Sequence, residues 1–218
     1  MIPPIAIQCV PERKDLVDRL LIRLPEADAF EDENHRGPLW QMERIMNAHA
    51  ETGVLILQDD VAVAPWFLEE LEKAIWPDRQ MMFFNAYSKF LRPLYDQGYC
   101  YATTRNCWGQ ANYYPAEMIA AYQEWAAQQD PIGPPRVNSS KLRQPWRSWS
   151  SDDPAIGKFC RDTRRDILMT LPHLVNHAQV KSVLGHPRTV GGKARISGLF
   201  GKDLLRPWDK TKVGRLPR

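Results

Sequence analysis

The sequence predicts one α/β domain, and three observations predict it. Short apolar runs bounded by turn residues recur along the chain, the clearest being Val54–Leu57 between Gly53 and a cluster of polar residues. Segments with helical apolar spacing alternate with those runs, the order that builds a sheet with helices packed on it. Finally, 218 residues suffice for one sizeable core and not for two.

The elements follow in order. "IAIQCV", Ile5–Val10, reads as a buried first strand closed by Pro11. "ERKDLVDRLLIRL" follows as a helix, with Leu16, Leu20 and Leu24 recurring beside Val17 and Leu21. Pro25 to Trp40 is acidic and broken by Gly37 and Pro38, which predicts mostly loop. "QMERIMNAHA" reads as a helix feeding the strand at Gly53–Leu57. "PWFLEELEKAI" carries Phe67, Leu68, Leu71 and Ile75 on one face, with Pro65 at its first turn and a Glu69–Lys73 pair at i,i+4.

Gln80–Ser88 and Gly98–Thr104 are aromatic-rich strand candidates, and Pro115 opens a helix that points Met118, Ile119, Tyr122 and Trp125 inward. Asp130–Ser151 has four prolines and no periodicity, which predicts a long loop of the kind that is functional or disordered. Ser151 or Asp152 then caps a short helix beginning near Pro154, and the stretch to Gly185 carries one or two short strands. The expected organisation is a mixed-sheet domain over residues 1–185 and a basic C-terminal arm over 186–218.

The composition, 44% hydrophobic and 25% charged, is ordinary for a globular chain. No window approaches eighteen uninterrupted apolar residues, and the N-terminus reads as a strand rather than a signal peptide, so a cytoplasmic protein with no membrane partner is expected. Cys9, Cys100, Cys107 and Cys160 lack C-x-x-C spacing, which supports neither a zinc knuckle nor a disulfide framework. Charge is uneven: Pro11–Arg79 holds sixteen Asp/Glu against eight Lys/Arg, a net −8, whereas His186–Arg218 holds nine Lys/Arg against two Asp, a net +7. The basic end suits an anionic partner such as nucleic acid, or a tail folded onto the acidic half of its own chain.

The strand at Val54 ends in Gln58, Asp59 and Asp60. Adjacent carboxylates beyond the carboxyl end of a strand repel unless a cation or solvent offsets them, and that end of an open α/β sheet is where ligands bind. The pair is a candidate metal or phosphate–metal site; a solvated strand-to-helix loop is the plainer alternative.

Taken in order, "VPER", "QDD", "GQA", "SSDDPAIGKF" and "LPHLVNH" resemble the spaced motifs of GT-A fold glycosyltransferases, the lipooligosaccharide type and its small phage-encoded relatives, over roughly residues 5–185. The resemblance implies a Rossmann-like GT-A domain that moves a sugar from a nucleotide-sugar donor to an acceptor hydroxyl with inversion, in the cytoplasm (the host's, for a phage enzyme). It implies Asp60 as ligand of a Mn²⁺ or Mg²⁺ ion that bridges the donor phosphates, with Asp59 supporting the metal or the ribose. Gln58 stands where the family has an acid. His177 is implied as a second metal ligand, with an ordinary histidine as the alternative; for its neighbour His173 that alternative leads. Asp152 and Asp153 are implied as the base that deprotonates the acceptor, the two not being separated, and plain helix capping competes with that role. Arg13 is implied at the nucleotide, and Trp108, Gly109 and Gln110 along the donor sugar or acceptor.

The acceptor is read from the loop at 136–151, where Arg136, Lys141, Arg143 and Arg147 interleave with Trp146 and Trp149. Basic groups beside flat aromatics hold a phosphodiester and stack on a base, so with the basic arm they raise a modified base in DNA above a glycan. Two other classes stay open: a GT-A-like nucleic-acid-binding module without catalysis, and a metal-dependent nuclease. Oligomeric state, sugar and nucleotide are not legible.

Overall fold

A computed structural model describes residues 2–84, 88–129, 152–178, 180, 189–190, 193–194, 197–201 and 207–216. The chain starts β1 (Ile5–Cys9), a one-turn 3₁₀ helix (Pro11–Arg13), α1 (Lys14–Arg23), β2 (Asp28–Glu31), α2 (Pro38–Ala48) and β3 (Val54–Gln58). It continues through β4 (Val61–Val63), α3 (Phe67–Ala74), β5 (Met81–Met82), α4 (Ser88–Asp96), β6 (Tyr101–Thr104), β7 (Ala111–Tyr114) and α5 (Ala116–Ala127). The last described elements are α6 (Asp152–Asp162), β8 (Ile167–Thr170), β9 (Val175–His177), the short pair β10 (Thr189–Val190) and β11 (Lys193–Ala194), and β12 (Val213–Arg215).

Eight strands form one mixed sheet in the order β12-β6-β8-β5-β7-β3-β1-β2. The β2, β1 and β3 strands run parallel, and β7 joins β3 antiparallel. Side chains of a strand alternate between faces, and the alternation divides the core. Ile5, Ile7, Leu55 and Leu57 pack with Val17 and Leu20 of α1 and Phe67 and Leu71 of α3. Ala6, Val54 and Ile56 pack with Met42 and Ile45 of α2, Met118 and Ile119 of α5, and Ile156 and Phe159 of α6. The result is a mixed α/β architecture with helices on both faces of the sheet, compatible with a Rossmann-like fold.

From β1 the chain reaches one neighbour, β2, through α1 on one face, and from β2 it returns past β1 to the other neighbour, β3, through α2 on the opposite face. In open α/β sheets the region beyond the carboxyl ends of the strands at such a reversal, here β1 and β3, is the usual ligand position.

Three expectations need correcting. Residues 25–40 are not mostly loop: Asp28–Glu31 is the edge strand β2, and its exposed, acidic side chains hid it, because an edge strand needs no apolar face. Lys73 pairs with Glu70 at i,i+3, its Nζ 2.6 Å from Oε1, rather than with Glu69, since Glu70 also turns its other oxygen to Trp208. Within the stretch expected as a basic arm, β12 closes the sheet edge against β6, Leu199 is buried, and Trp208 packs on the core beside Tyr101. The Lys210 ammonium donates to the Ile75 carbonyl at 2.8 Å. The described parts of the C-terminus therefore pack on the body. Residues 130–151, with the basic and tryptophan-rich loop, lie outside the described residues.

Candidate active site

The ladder between β1 and β3 ends where Gln8 meets Gln58, and one further bond, Asp59 N–H to the Gln8 carbonyl at 2.9 Å, carries the pairing to Asp59. Asp59 and Asp60 thus stand beyond the carboxyl ends of β1 and β3, only 5% and 7% exposed. Two buried carboxylates in sequence need a counter-charge. Arg13 supplies it from the turn after β1: its Nη1 lies 2.5 Å from Asp59 Oδ1 and 3.0 Å from Asp60 Oδ2. Burial pushes the Asp59 carboxyl up to about 6 against the pull of Arg13, and the Val10 N–H also donates to it at 3.3 Å. Burial opposes the Arg13 charge, yet the two acids more than offset that and hold the guanidinium more firmly protonated than usual. Arg13 and Asp59 are thus joined in one buried ion pair.

His177 arrives from the other side of the sequence. After Asp60 the chain turns into β4, which pairs antiparallel with β9 so that Val61 faces His177, and the Ala178 N–H donates to the Asp60 carbonyl at 2.7 Å. His177 Nε2 comes to 3.5 Å from Asp60 Oδ2. The other oxygen, Asp60 Oδ1, is buried with no hydrogen-bond partner among the described residues. Its near neighbour His173 goes elsewhere. It is fully buried, its Nδ1 is 2.5 Å from Ser197 Oγ, and burial pushes its pKa down to about 3, so it is a neutral core histidine.

The third component is the start of α6. Asp152 is buried and accepts the Asp153 N–H at 3.0 Å, whereas Asp153 is half-buried. Burial pushes the Asp152 carboxyl up to about 6, the nearby N–H groups pull it back, and the Asp60 charge adds to the rise, so the two acid pairs share one electrostatic field. Gly109 lies between them. A Cβ there would sit 2.6 Å from an oxygen of both Asp152 and Asp153 and 2.8 Å from Gln58 Nε2. A side chain at 109 would push these groups apart, so the glycine preserves their close approach. Gln110 is buried, its carbonyl accepts the Gln58 N–H at 2.9 Å, and its Oε1 has no partner among the described residues. Trp108 packs edge-on against Phe84 at the junction of the two core faces. The structure thus brings Arg13, Gln58, Asp59, Asp60, Gly109, Asp152, Asp153 and His177 to one end of β3, with Gln110 and Trp108 behind them.

Sequence reasoning passed over one buried acid on the β2 side. Asp32 is 2% exposed; its Oδ2 accepts the Gly37 N–H at 2.8 Å, and its Oδ1 has no partner among the described residues. Beside it Gln41 donates to the carbonyls of Cys9 and Phe30. Reading "DAFE" as a strand would have made Asp32 a strand-end acid like Asp59.

Among the described residues no group of three or more His, Cys, Asp and Glu is arranged to hold a metal. Asp60 Oδ2 and His177 Nε2 face each other and are two donors of the kind a Mg²⁺ or Mn²⁺ ion takes, so an ion held there would need its other ligands from outside these two side chains. None of the helices among the described residues is long and apolar enough to cross a membrane. No protein-family model matches this sequence, and no curated protein matches it.

Proposed function

We propose that the chain is a GT-A-type glycosyltransferase that moves a sugar from a nucleotide-sugar donor to an acceptor hydroxyl with inversion. The convergence of one acid pair from β3 and another from α6 around Gly109, with His177 beside the first, carries this reading. The two pairs suit different tasks. Asp59 and Asp60 face the donor phosphates together with Arg13, whose planar guanidinium matches phosphate oxygens. A divalent cation held by Asp60 and His177 would neutralise charge on the departing diphosphate.

Asp152 and Asp153 form the acid–base pair. A carboxyl raised to about 6 is ionised at neutral pH yet basic enough to take a proton from a hydroxyl, the compromise that general-base catalysis favours. The pair meets the acceptor as a unit, its two members fixed relative to each other by the Asp153 N–H that Asp152 accepts. Gln58 and Gln110 supply neutral polar groups to the donor, while Gly109 leaves the space in which the two acids approach. The acceptor in this reading is a modified base in DNA, supported by the basic, tryptophan-rich sequence at 136–151.

The test is a thermal-shift screen against nucleoside diphosphates and nucleotide sugars, with and without Mn²⁺, repeated on Asp60→Asn. A ligand that binds only the folded state raises its stability with the logarithm of ligand excess. The reading requires stabilisation by one nucleotide class that depends on Mn²⁺ and on Asp60. The absence of a shift with every donor would favour the nucleic-acid-binding module. Sugar transfer to a glycan and not to hydroxylated DNA bases would overturn the acceptor alone.

A further inference from the structure

The acid pair already has a cation. One nitrogen of Arg13 touches Asp59 at 2.5 Å and Asp60 at 3.0 Å, and the Asp60 oxygen that it holds is the same Oδ2 that faces His177 at 3.5 Å. These side chains are at most 10% exposed, so water screens them little. A divalent ion placed on Oδ2 with Arg13 still there would put two cations on one oxygen in a poorly screened site, where like charges repel strongly. With neither cation, two adjacent buried carboxylates would face each other uncompensated. A cation shared by Asp60 Oδ2 and His177 would therefore have to take the place that the Arg13 guanidinium holds.

We infer that Arg13 is a built-in latch: it occupies the Asp59–Asp60 pair in the ligand-free protein and yields Asp60 to a divalent cation when a diphosphate draws the guanidinium away. The inference rests on the donor-site reading above and adds an order of events to it. A diphosphate offers Arg13 a bidentate partner at least as good as the one it leaves, and departure of the guanidinium frees Oδ2 for a metal beside His177. Metal and nucleotide therefore bind with positive coupling, each removing the obstacle to the other. Metal alone binds weakly, because it must displace Arg13 unaided.

The experiment measures Mn²⁺ binding by the electron paramagnetic resonance signal of free Mn²⁺, with no nucleotide present, on wild type, Arg13→Gln and Arg13→Gln/Asp60→Asn. The latch predicts affinity at least tenfold tighter in Arg13→Gln than in wild type, and loss of the gain in the double variant. Equal or weaker affinity in Arg13→Gln, or a gain that survives Asp60→Asn, overturns it. Arg13→Lys covers the case in which the glutamine variant does not fold. It retains a charge for the buried acids but not the reach of the guanidinium, and an intermediate gain is expected; no gain overturns the latch. Because no nucleotide enters the measurement, the outcome is separate from donor binding. A gain in Mn²⁺ affinity with no stabilisation by any nucleotide sugar would leave the latch standing and remove the transferase reading.

Discussion

His177 stands 3.5 Å from Asp60, Nε2 to Oδ2, although 117 positions separate them, because the two-stranded pairing of β4 with β9 sets Val61 opposite His177. The acid and the imidazole are held by backbone pairing on both sides, so neither needs a flexible side chain to find the other.

That relationship predicts the behaviour of His177→Ala. If the imidazole serves a cation, donor affinity in Mn²⁺ falls roughly 10–100-fold, the scale of losses at metal sites. The loss in Mg²⁺ is smaller, because imidazole favours Mn²⁺. Donor KM measured in each metal checks this, and equal losses would assign His177 to the fold rather than to the ion.

Gly109→Ala and Gly53→Ala form a matched pair. At Gly109 the new methyl meets only the ends of Asp152, Asp153 and Gln58, which can swing aside. Stability changes by less than about 1 kcal/mol, but the shifted carboxyls cost on the order of 100-fold in turnover, the usual effect of a misplacement near 1 Å. At Gly53 the methyl would lie 2.8 Å from the Tyr114 carbonyl oxygen, on a backbone with φ +71° that L side chains rarely adopt. There the cost falls on stability, about 1–3 kcal/mol. Urea melts and single-turnover rates on both variants separate the two effects.

Asp152→Asn predicts stability gained and activity lost. The folded carboxyl is raised from 3.8 to about 6, so the native state holds a proton that the unfolded chain has released. Ionising it costs stability progressively as pH rises through that window, and the cost is constant above it. Asparagine removes that cost and can still accept the Asp153 N–H. The variant is therefore more stable by up to about 3 kcal/mol at pH 7.5, and hardly changed below pH 3.8. Turnover falls roughly 10²–10⁴-fold if the pair is the base. Urea titrations at the two pH values decide the sign.

Trp208→Ala tests the C-terminal segment. Trp208 packs on the core beside Tyr101, and its indole N–H donates to Glu70 at 2.8 Å. Truncation leaves a cavity and a buried carboxylate short of one partner, at a cost of about 2–4 kcal/mol. A midpoint unchanged in urea would show that this segment is not part of the cooperative unit.

Much of the fold was legible because its central elements obey simple periods. Val54–Leu57 reads as buried from its apolar run, and α5 from Met118, Ile119 and Tyr122. The edges were not. β2 is exposed and acidic, and α4 carries Pro93 inside it, so local propensity spoke against both while tertiary pairing and packing overrode it. The candidate site was legible in its residue types, since each acid marks the end of a strand or the start of a helix. Asp32 escaped because its strand did.

The sequence by itself determined the alternation of strands and helices, the two acid pairs, and the need of Asp59 and Asp60 for a counter-charge, for these depend on local spacing and on elementary electrostatics. Only the tertiary structure decided which side-chain cation meets that need and what lies beside it. Arg13 is drawn in by the parallel pairing of β1 with β3, His177 by that of β4 with β9, and Asp152 by the packing of α6 on the sheet. Such neighbours come from contacts between segments far apart in the chain, and local residue order does not encode their distances.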